Sequence, residues 1–355
     1  MKKSVLILFG GASTEHEISC VSAAFVADNI DTEKYDVYKI GITKSGVWYL
    51  FNGTTESMRN NKWQDEADNL KAAVVSPCSV HHGIMVLDKL KKTYEIIHID
   101  IVFPVLHGKN GEDGTMQGLL SIAGIPFVGC DTYSSAVCMD KIATKLLCEE
   151  RGIKTAPFIY SKKEADYDIN RTVCEAEESF DYPMIVKPAN AGSSIGVTKA
   201  KTRAELVYAI ETAFANDRKI LIEKVIKGRE IEVAVFGNES IYASTCGEID
   251  PQNDFYDYET KYISDSAKYF IPARTDDATS EKIKKAAEKV YKTLDCKGLS
   301  RVDFFLTEDG QIILNEINTI PGFTSISMYP RLMQYDGRKA AELIEGLLEL
   351  ALEEN

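Results

Sequence analysis

An α/β fold that opens with a doubly wound unit is what this sequence predicts, on three observations. Val5 to Phe9 is an uninterrupted apolar run that opens into Gly10-Gly11-Ala12-Ser13-Thr14. A helix-patterned segment follows through Val21 to Ile30, so the order is strand, glycine turn, helix. Tyr35 to Ile40 and Asp100 to Pro104 then repeat the strand pattern. A length of 355 residues leaves room for two or three domains with sizeable cores.

The remaining elements follow in chain order. Residues 52–74 are polar and weakly patterned, which predicts a surface excursion. HGKNGEDGTMQG, from His107 to Gly118, is a second glycine-rich segment. A helix is expected from Asp140 to Arg151, stopped by Gly152. The expected domains are 1–130, an α/β substrate-binding unit, then 131–220 and 221–355. The middle unit carries a Lys/Glu-rich surface stretch at 162–180 and the strand Met184 to Lys187. The last unit alternates strands with a Tyr-rich polar loop at 247–270. It ends in an amphipathic helix from Lys339 to Leu352, with Leu343, Ile344, Leu347 and Leu348 on one face. Core packing is the simplest use of that face; a homodimer contact is the other.

Composition excludes several function classes. Hydrophobic content of 45% and charged content of 27% are ordinary for a globular protein. A net charge of −13 argues against nucleic acid or an anionic membrane as partner. The eight cysteines are scattered and form no C-x-x-C, so neither a zinc knuckle nor a thioredoxin-type motif is supported. Scattered thiols suit a reducing cytoplasm. The start, Met1-Lys2-Lys3 before an apolar run, superficially resembles a signal peptide, but the run is too short. With no run of 18 apolar residues, no membrane insertion is expected.

The chemistry concentrates in LSRVDFFLTEDGQIILNEIN, where two apolar runs flank Asp309-Gly310. Asp-Gly between such runs is a hairpin signal. With these two residues at the centre of the turn, paired positions sum to 619. Asp303 then lies opposite Glu316 and Arg301 opposite Asn318, all on one face. Opposed carboxylates in an apolar sheet repel each other, and a divalent cation turns that repulsion into binding. Asp, Glu and Asn oxygens suit Mg²⁺. A solvated polar face is the ordinary alternative. The tight small-residue loop from Thr319 to Ser325 leaves the same strand end and favours a site.

The other motifs are weaker alone. Gly10 to Ser19 lacks G-x-G-x-x-G, against a dinucleotide fingerprint, and Glu15 beside a helix start reads either as a cap or as a substrate-ammonium ligand. Lys187 followed by the Gly/Ser loop to Gly196 reads as a phosphate cradle or a flexible hairpin. Glu223 and Glu230 flank a linker, as adenine and ribose contacts or as a solvated charge pattern.

Taken in order, GGASTEHEIS, HGKNGEDGTMQG, Cys138-Met139-Asp140-Lys141, VKPANAGSSIG, FYDYETKY, SRVDFF and NEINTIPGFTS resemble the D-alanine–D-alanine ligase family of the ATP-grasp superfamily. The likeness covers nearly the whole chain. It implies an ATP-grasp fold behind an N-terminal Rossmann-like domain, with ATP between the central and C-terminal domains and two Mg²⁺ (or Mn²⁺). By the same resemblance, Glu15 orients the first D-alanine and forms a closing trio with Ser193 and Tyr262. His107 lies near the first substrate. Lys141, Lys187, Lys261 and Ser194 meet phosphates. Glu223, Lys224, Ile226 and Glu230 meet adenine and ribose, the middle two partly through backbone. Arg301 and the Gly322 N–H stabilise the tetrahedral intermediate. Asp303, Glu316 and Asn318 hold metal, and Ser327 and Met328 meet the second substrate. Ile326 departs from relatives that carry His there.

The implied reaction joins two D-alanines through an acyl phosphate, for peptidoglycan precursors. Tyr262, where a lactate-using branch has His, favours a D-amino acid acceptor over D-lactate. A D-alanine–D-serine ligase is the nearest rival. A nicotinamide-dependent oxidoreductase is disfavoured by the missing fingerprint, and a non-catalytic ATP-binding regulator by the retained Arg301, Asp303, Glu316 and Asn318.

Overall fold

The computed structural model describes residues 2–88, 90–250 and 268–353. The described chain builds three sheets in succession. The first comprises β1 (Lys3–Gly10), β2 (Tyr35–Ile42), β3 (Trp48–Phe51), β4 (Leu70–Val75), β5 (Gly83–Asp88), β6 (Thr93–His98) and β7 (Ile101–Pro104). Strand β1 runs parallel to β2 and β7, whereas β2 through β6 form an antiparallel extension. The doubly wound core is therefore three strands wide. Val5 to Gly10 are all buried, as a strand covered on both faces requires. The accompanying helices are α1 (His16–Asn29), α2 (Thr55–Arg59) and α3 (Thr115–Ala123).

The expected surface excursion at 52–74 is a correction. Met58 and Trp63 are fully buried, and the indole meets Phe9 edge-on at 5.0 Å. A few large apolar side chains suffice to anchor an otherwise polar segment, and they leave no periodic trace in the sequence.

Helices α4 (Thr132–Met139) and α5 (Lys141–Glu150) lead into the second sheet. Asp140 caps α5, its Oδ1 accepting from the Ile142 and Ala143 N–H groups, and Gly152 ends the turn at φ +67. The second sheet joins β8 (Phe158–Lys162), β9 (Met184–Pro188), β10 (Thr198–Ala200) and β11 (Lys219–Lys224) in the order β10-β9-β11-β8. Helices α6 (Ile169–Ser179) and α7 (Arg203–Asn216) cover it through Val173, Ala176, Leu206, Ala209, Ile210 and Ala213. Residue 220 falls inside β11, so by sheet membership the break comes after Lys224.

The third sheet is antiparallel: β12 (Arg229–Phe236), β13 (Tyr242–Ala243), β14 (Gly247–Asp250), β15 (Lys268–Phe270), β16 (Leu299–Leu306) and β17 (Ile312–Asn318). Helices α8 (Asp277–Thr293), α9 (Met328–Tyr335) and α10 (Ala340–Leu352) complete the chain. The apolar stripe of α10 is wholly buried, in one cluster with Val5, Ile7 and Val105 of the first unit. Its last helix thus ties the C-terminal segment to the N-terminal sheet. Among the described residues no helix is long and apolar enough to cross a membrane.

The β16–β17 hairpin corrects one detail and keeps another. The Thr307 N–H donates to the Gln311 carbonyl and the Gly310 N–H to the Thr307 carbonyl, leaving a three-residue loop with Gly310 at φ +79 rather than a two-residue turn. Pairing near the turn therefore sums to 618, as in Leu306 with Ile312. A bulge between Asp303 and Phe304 on one side, with Asn315 extra on the other, restores 619. Asp303 lies opposite Glu316 and Arg301 opposite Asn318, as the sequence predicts.

Candidate active site

The second and third sheets, with loops and helix α1 of the first unit, line a common cavity of about 1210 Å³. Its lining includes Glu15, His107, Lys141, Lys187, Ser193, Ser194, Ile226, Glu230, Arg301, Glu316, Asn318, Gly322, Ser327 and Met328. Residues separated by most of the chain length are thereby brought together.

Glu15 begins α1 but does not cap it with its side chain. Instead its carboxylate accepts a bond from the Ser193 hydroxyl, spanning from the first unit to the Gly/Ser loop. Two glycines make room. A Cβ on Gly108, at φ +70, would collide with Glu15 Oε2, and one on Gly192 would lie 2.8 Å from it. Both glycine-rich motifs thus enclose a carboxylate. Ser193 and Ser194 adopt φ +50 and +57, a backbone that turns the loop over the cavity. Tyr262 and Lys261, the other expected partners, lie outside the described residues.

His107 is buried, its Nδ1 3.0 Å from the Ile320 carbonyl and its Nε2 3.1 Å from Ser22 Oγ. A carbonyl only accepts, so Nδ1 carries the proton and neutral Nε2 accepts from the hydroxyl. Ser22 Oγ in turn accepts from the Phe323 N–H at 3.3 Å. Burial pushes the imidazole below its ordinary value, against the opposing pull of the Glu15 charge and the Ile320 carbonyl. A depressed folded value makes stability greatest above the unfolded value, near 6.5, and lost as pH falls from there. His107→Gln should therefore lose less urea resistance than the native chain between pH 7 and pH 5. Equal losses would show that His107 does not titrate on unfolding.

Glu112 was not foreseen; its sequence surroundings read as a turn. Its oxygens accept from the Gly108 N–H at 2.7 Å and the Ile320 N–H at 3.3 Å, locking the loop at 107–114 to the loop at 319–323. Burial, then the charge of Glu15, pushes its carboxyl up to about 8.

Across the cavity, the Lys141 ammonium donates to the Ala191 carbonyl at 2.7 Å. Lys187 pairs with Glu223 at 2.7 Å and reaches Asn315 Oδ1 at 3.4 Å. Asn315 is the bulge residue, so only the irregular register turns it toward the lysine. Glu223 is buried beneath Lys187 and presents no side chain to the cavity, and the Lys224 side chain is exposed outside it. At this edge Val225, Ile226 and Glu230 line the cavity.

Arg301 grips Asp303 with two bonds of 2.8 Å and pairs with Glu232 at 3.0 Å. Burial acts against its charge, but Asp303, Glu232 and Glu316 hold the guanidinium protonated. Asn318 Nδ2 donates to Asp303 Oδ2 at 3.1 Å, which leaves its Oδ1 directed elsewhere. Two carboxylates and an amide oxygen form a hard, oxygen-only donor set that fits Mg²⁺ or Mn²⁺. Glu232 was also unforeseen, though the alternation in Arg229-Glu230-Ile231-Glu232 places both glutamates on one face. Ser327 Oγ bonds Thr324, at 3.1 Å from its N–H, and lies 3.0 Å from where a Gly322 Cβ would stand. Met328 belongs mainly to the core, while Ile326 is 79% exposed at the rim.

The chain matches two family models: D-ala D-ala ligase N-terminus over residues 4–130, and D-ala D-ala ligase C-terminus over residues 147–349. It is 49% identical to the D-alanine–D-alanine ligase of Caldicellulosiruptor bescii, covering 100% of this chain and 96% of that one. It is 47% identical to the D-alanine–D-alanine ligase of Clostridium acetobutylicum, over 100% and 99%. Among solved structures it resembles the VanG D-Ala:D-Ser ligase of Enterococcus faecalis, with TM-score 0.91, 43% identity and coverage of 99% and 100%. The D-alanine–D-alanine ligase of Coxiella burnetii gives TM-score 0.85 and 31% identity, over 99% and 96%.

Proposed function

The chain belongs to the D-alanine–D-alanine ligase family, and from that premise we propose how its residues join two D-alanines at the expense of ATP. The observation that carries the reading is one cavity bounded by the Glu15–Ser193 bridge, the lysines 141 and 187, and Arg301, which Asp303 holds from behind.

Glu15 receives the ammonium of the first D-alanine, close to neutral His107. That places the substrate carboxylate toward Lys141, Lys187 and Arg301. The carboxylate attacks the ATP γ-phosphate and ADP leaves, giving an acyl phosphate; positioning and charge neutralisation supply most of the rate. The amine of the second D-alanine then attacks the activated carbonyl near Gly322 and Ser327. Arg301 and the Gly322 N–H stabilise the oxyanion, and phosphate departs. Asp303, Glu316 and Asn318 would hold Mg²⁺, which supplies charge neutralisation at the transferring phosphoryl group. The Ser193–Ser194 loop excludes water from the acyl phosphate. ATP as substrate and the eight free thiols support a cytoplasmic enzyme that supplies peptidoglycan precursors.

Purified protein with ATP, Mg²⁺ and D-alanine should yield D-alanyl-D-alanine, ADP and phosphate. Pyrophosphate in place of phosphate would overturn the assignment. The likeness to a D-Ala:D-Ser ligase makes D-serine the competitor to include. D-Alanine should be preferred as acceptor, D-serine second and D-lactate unused. A majority of D-alanyl-D-serine at equal concentrations would reassign the acceptor.

A further inference from the structure

Lys145 lies one helical turn after Lys141 on α5, yet the two have different surroundings. Lys145 is 2% exposed. Its ammonium donates to the Ala156 carbonyl at 3.0 Å, sits 5.1 Å from the Phe158 ring centroid, and pairs with Glu223 Oε1 at 2.6 Å. The other Glu223 oxygen, Oε2, pairs with Lys187 at 2.7 Å. The result is a buried lysine–glutamate–lysine chain, and only its last member reaches the cavity.

A buried ammonium is costly, and a hydrophobic side chain at position 145 would pack without that cost. What Lys145 changes is the charge seen across the cavity. Lys187 faces Glu223, Glu316 and Glu230. With Lys145 present, the lysine–glutamate–lysine chain carries a net charge of about +1 toward the cavity; without it, Glu223 neutralises Lys187. Lys145 also splits the carboxylate between two partners, so Lys187 is not drawn wholly away from the cavity.

We propose that Lys145 is a positioning residue for the triphosphate: it offsets Glu223 so that Lys187 keeps its charge and aim for phosphate. The inference rests on the ATP-dependent reading above and names a residue which that reading does not use. The direction of titration agrees. Burial acts first on Glu223 and would raise it, yet Lys187 and Lys145 together hold its carboxyl at about 2.

The test measures binding of ATP and of adenosine, by calorimetry, to the native chain, Lys145→Met and the charge-balanced Lys145→Met/Glu223→Gln. Lys145→Met should weaken ATP about tenfold and leave adenosine unchanged. The double variant should regain the native ratio of ATP to adenosine affinity. A merely structural role would weaken both ligands together, or neither, and would overturn the proposal. So would a double variant that stays as poor as the single one. Should Lys145→Met not fold, the double variant against the native chain decides alone: an equal ratio supports the proposal and a lower one refutes it. If the native chain binds no ATP, the ligase reading itself has failed.

Discussion

Replacement of Arg301 by methionine is expected to lower kcat by roughly 10²–10³-fold, the loss seen when an oxyanion donor is removed. The guanidinium makes both bonds to Asp303 and the pair to Glu232, so the damage extends to folding. Two buried carboxylates would lose their cationic partner Arg301, which costs about 3–5 kcal/mol. Arg301→Lys should rescue little, because an ammonium cannot reproduce the two-pronged grip on Asp303 while reaching Glu232. Steady-state kinetics with ATP and D-alanine, set beside urea unfolding, separates the two effects. Near-native kcat in a folded Arg301→Met protein would remove Arg301 from the chemistry.

Glu316→Gln should reduce kcat at least about 10²-fold at low Mg²⁺, equivalent to ~2.7 kcal/mol of lost transition-state stabilisation. The isosteric amide keeps volume and backbone pairing opposite Asp303, so folding should change by about 1 kcal/mol or less. Raised Mg²⁺ should recover part of the rate, since a neutral oxygen ligand weakens but does not abolish the hold on the cation. Near-normal turnover at low Mg²⁺ would mean that Glu316 is an ordinary strand residue. The two variants differ in a useful way. Arg301→Met strips charge from a buried cluster and is costly in both stability and rate, whereas Glu316→Gln concentrates its effect on rate.

The strands and helices that carry these residues were readable because their signals are local. An apolar run opening into Gly10-Gly11, the helix from Asp140 stopped by Gly152, and the four-residue apolar stripe of α10 each describe their own neighbourhood. The facing of Asp303 and Glu316 was also readable, although through two departures that cancel. The loop at Asp309-Gly310 is one residue longer than a two-residue turn, and the bulge at Asn315 takes the extra residue back. Pairing at the site survives, while the path to it differs.

What pattern and spacing could not supply were the partners. Nothing local singles out Lys145 among the charges of α5, Glu112 within its glycine-rich segment, or Asn315 within its strand. The Gly/Ser loop after Lys187 suggested phosphate, yet the crowded neighbour of its Gly192, and of Gly108 in the other glycine-rich loop, is the carboxylate of Glu15.

The sequence by itself determined the α/β class, the order of the elements and the family, and nominated the residues proposed for ATP and metal. These follow from periodicity, caps and motif order, which short stretches of chain encode completely. The Glu15–Ser193 bond is one that the family resemblance implies and the structure contains, but only the tertiary structure decided that Arg301 is shared between Asp303 and Glu232 and that Glu223 lies between two lysines. Each of these joins side chains from different elements. The energy of a buried charge depends on which opposite charge packing brings within about 3 Å and on how much water it removes, and neither is a property of any single segment.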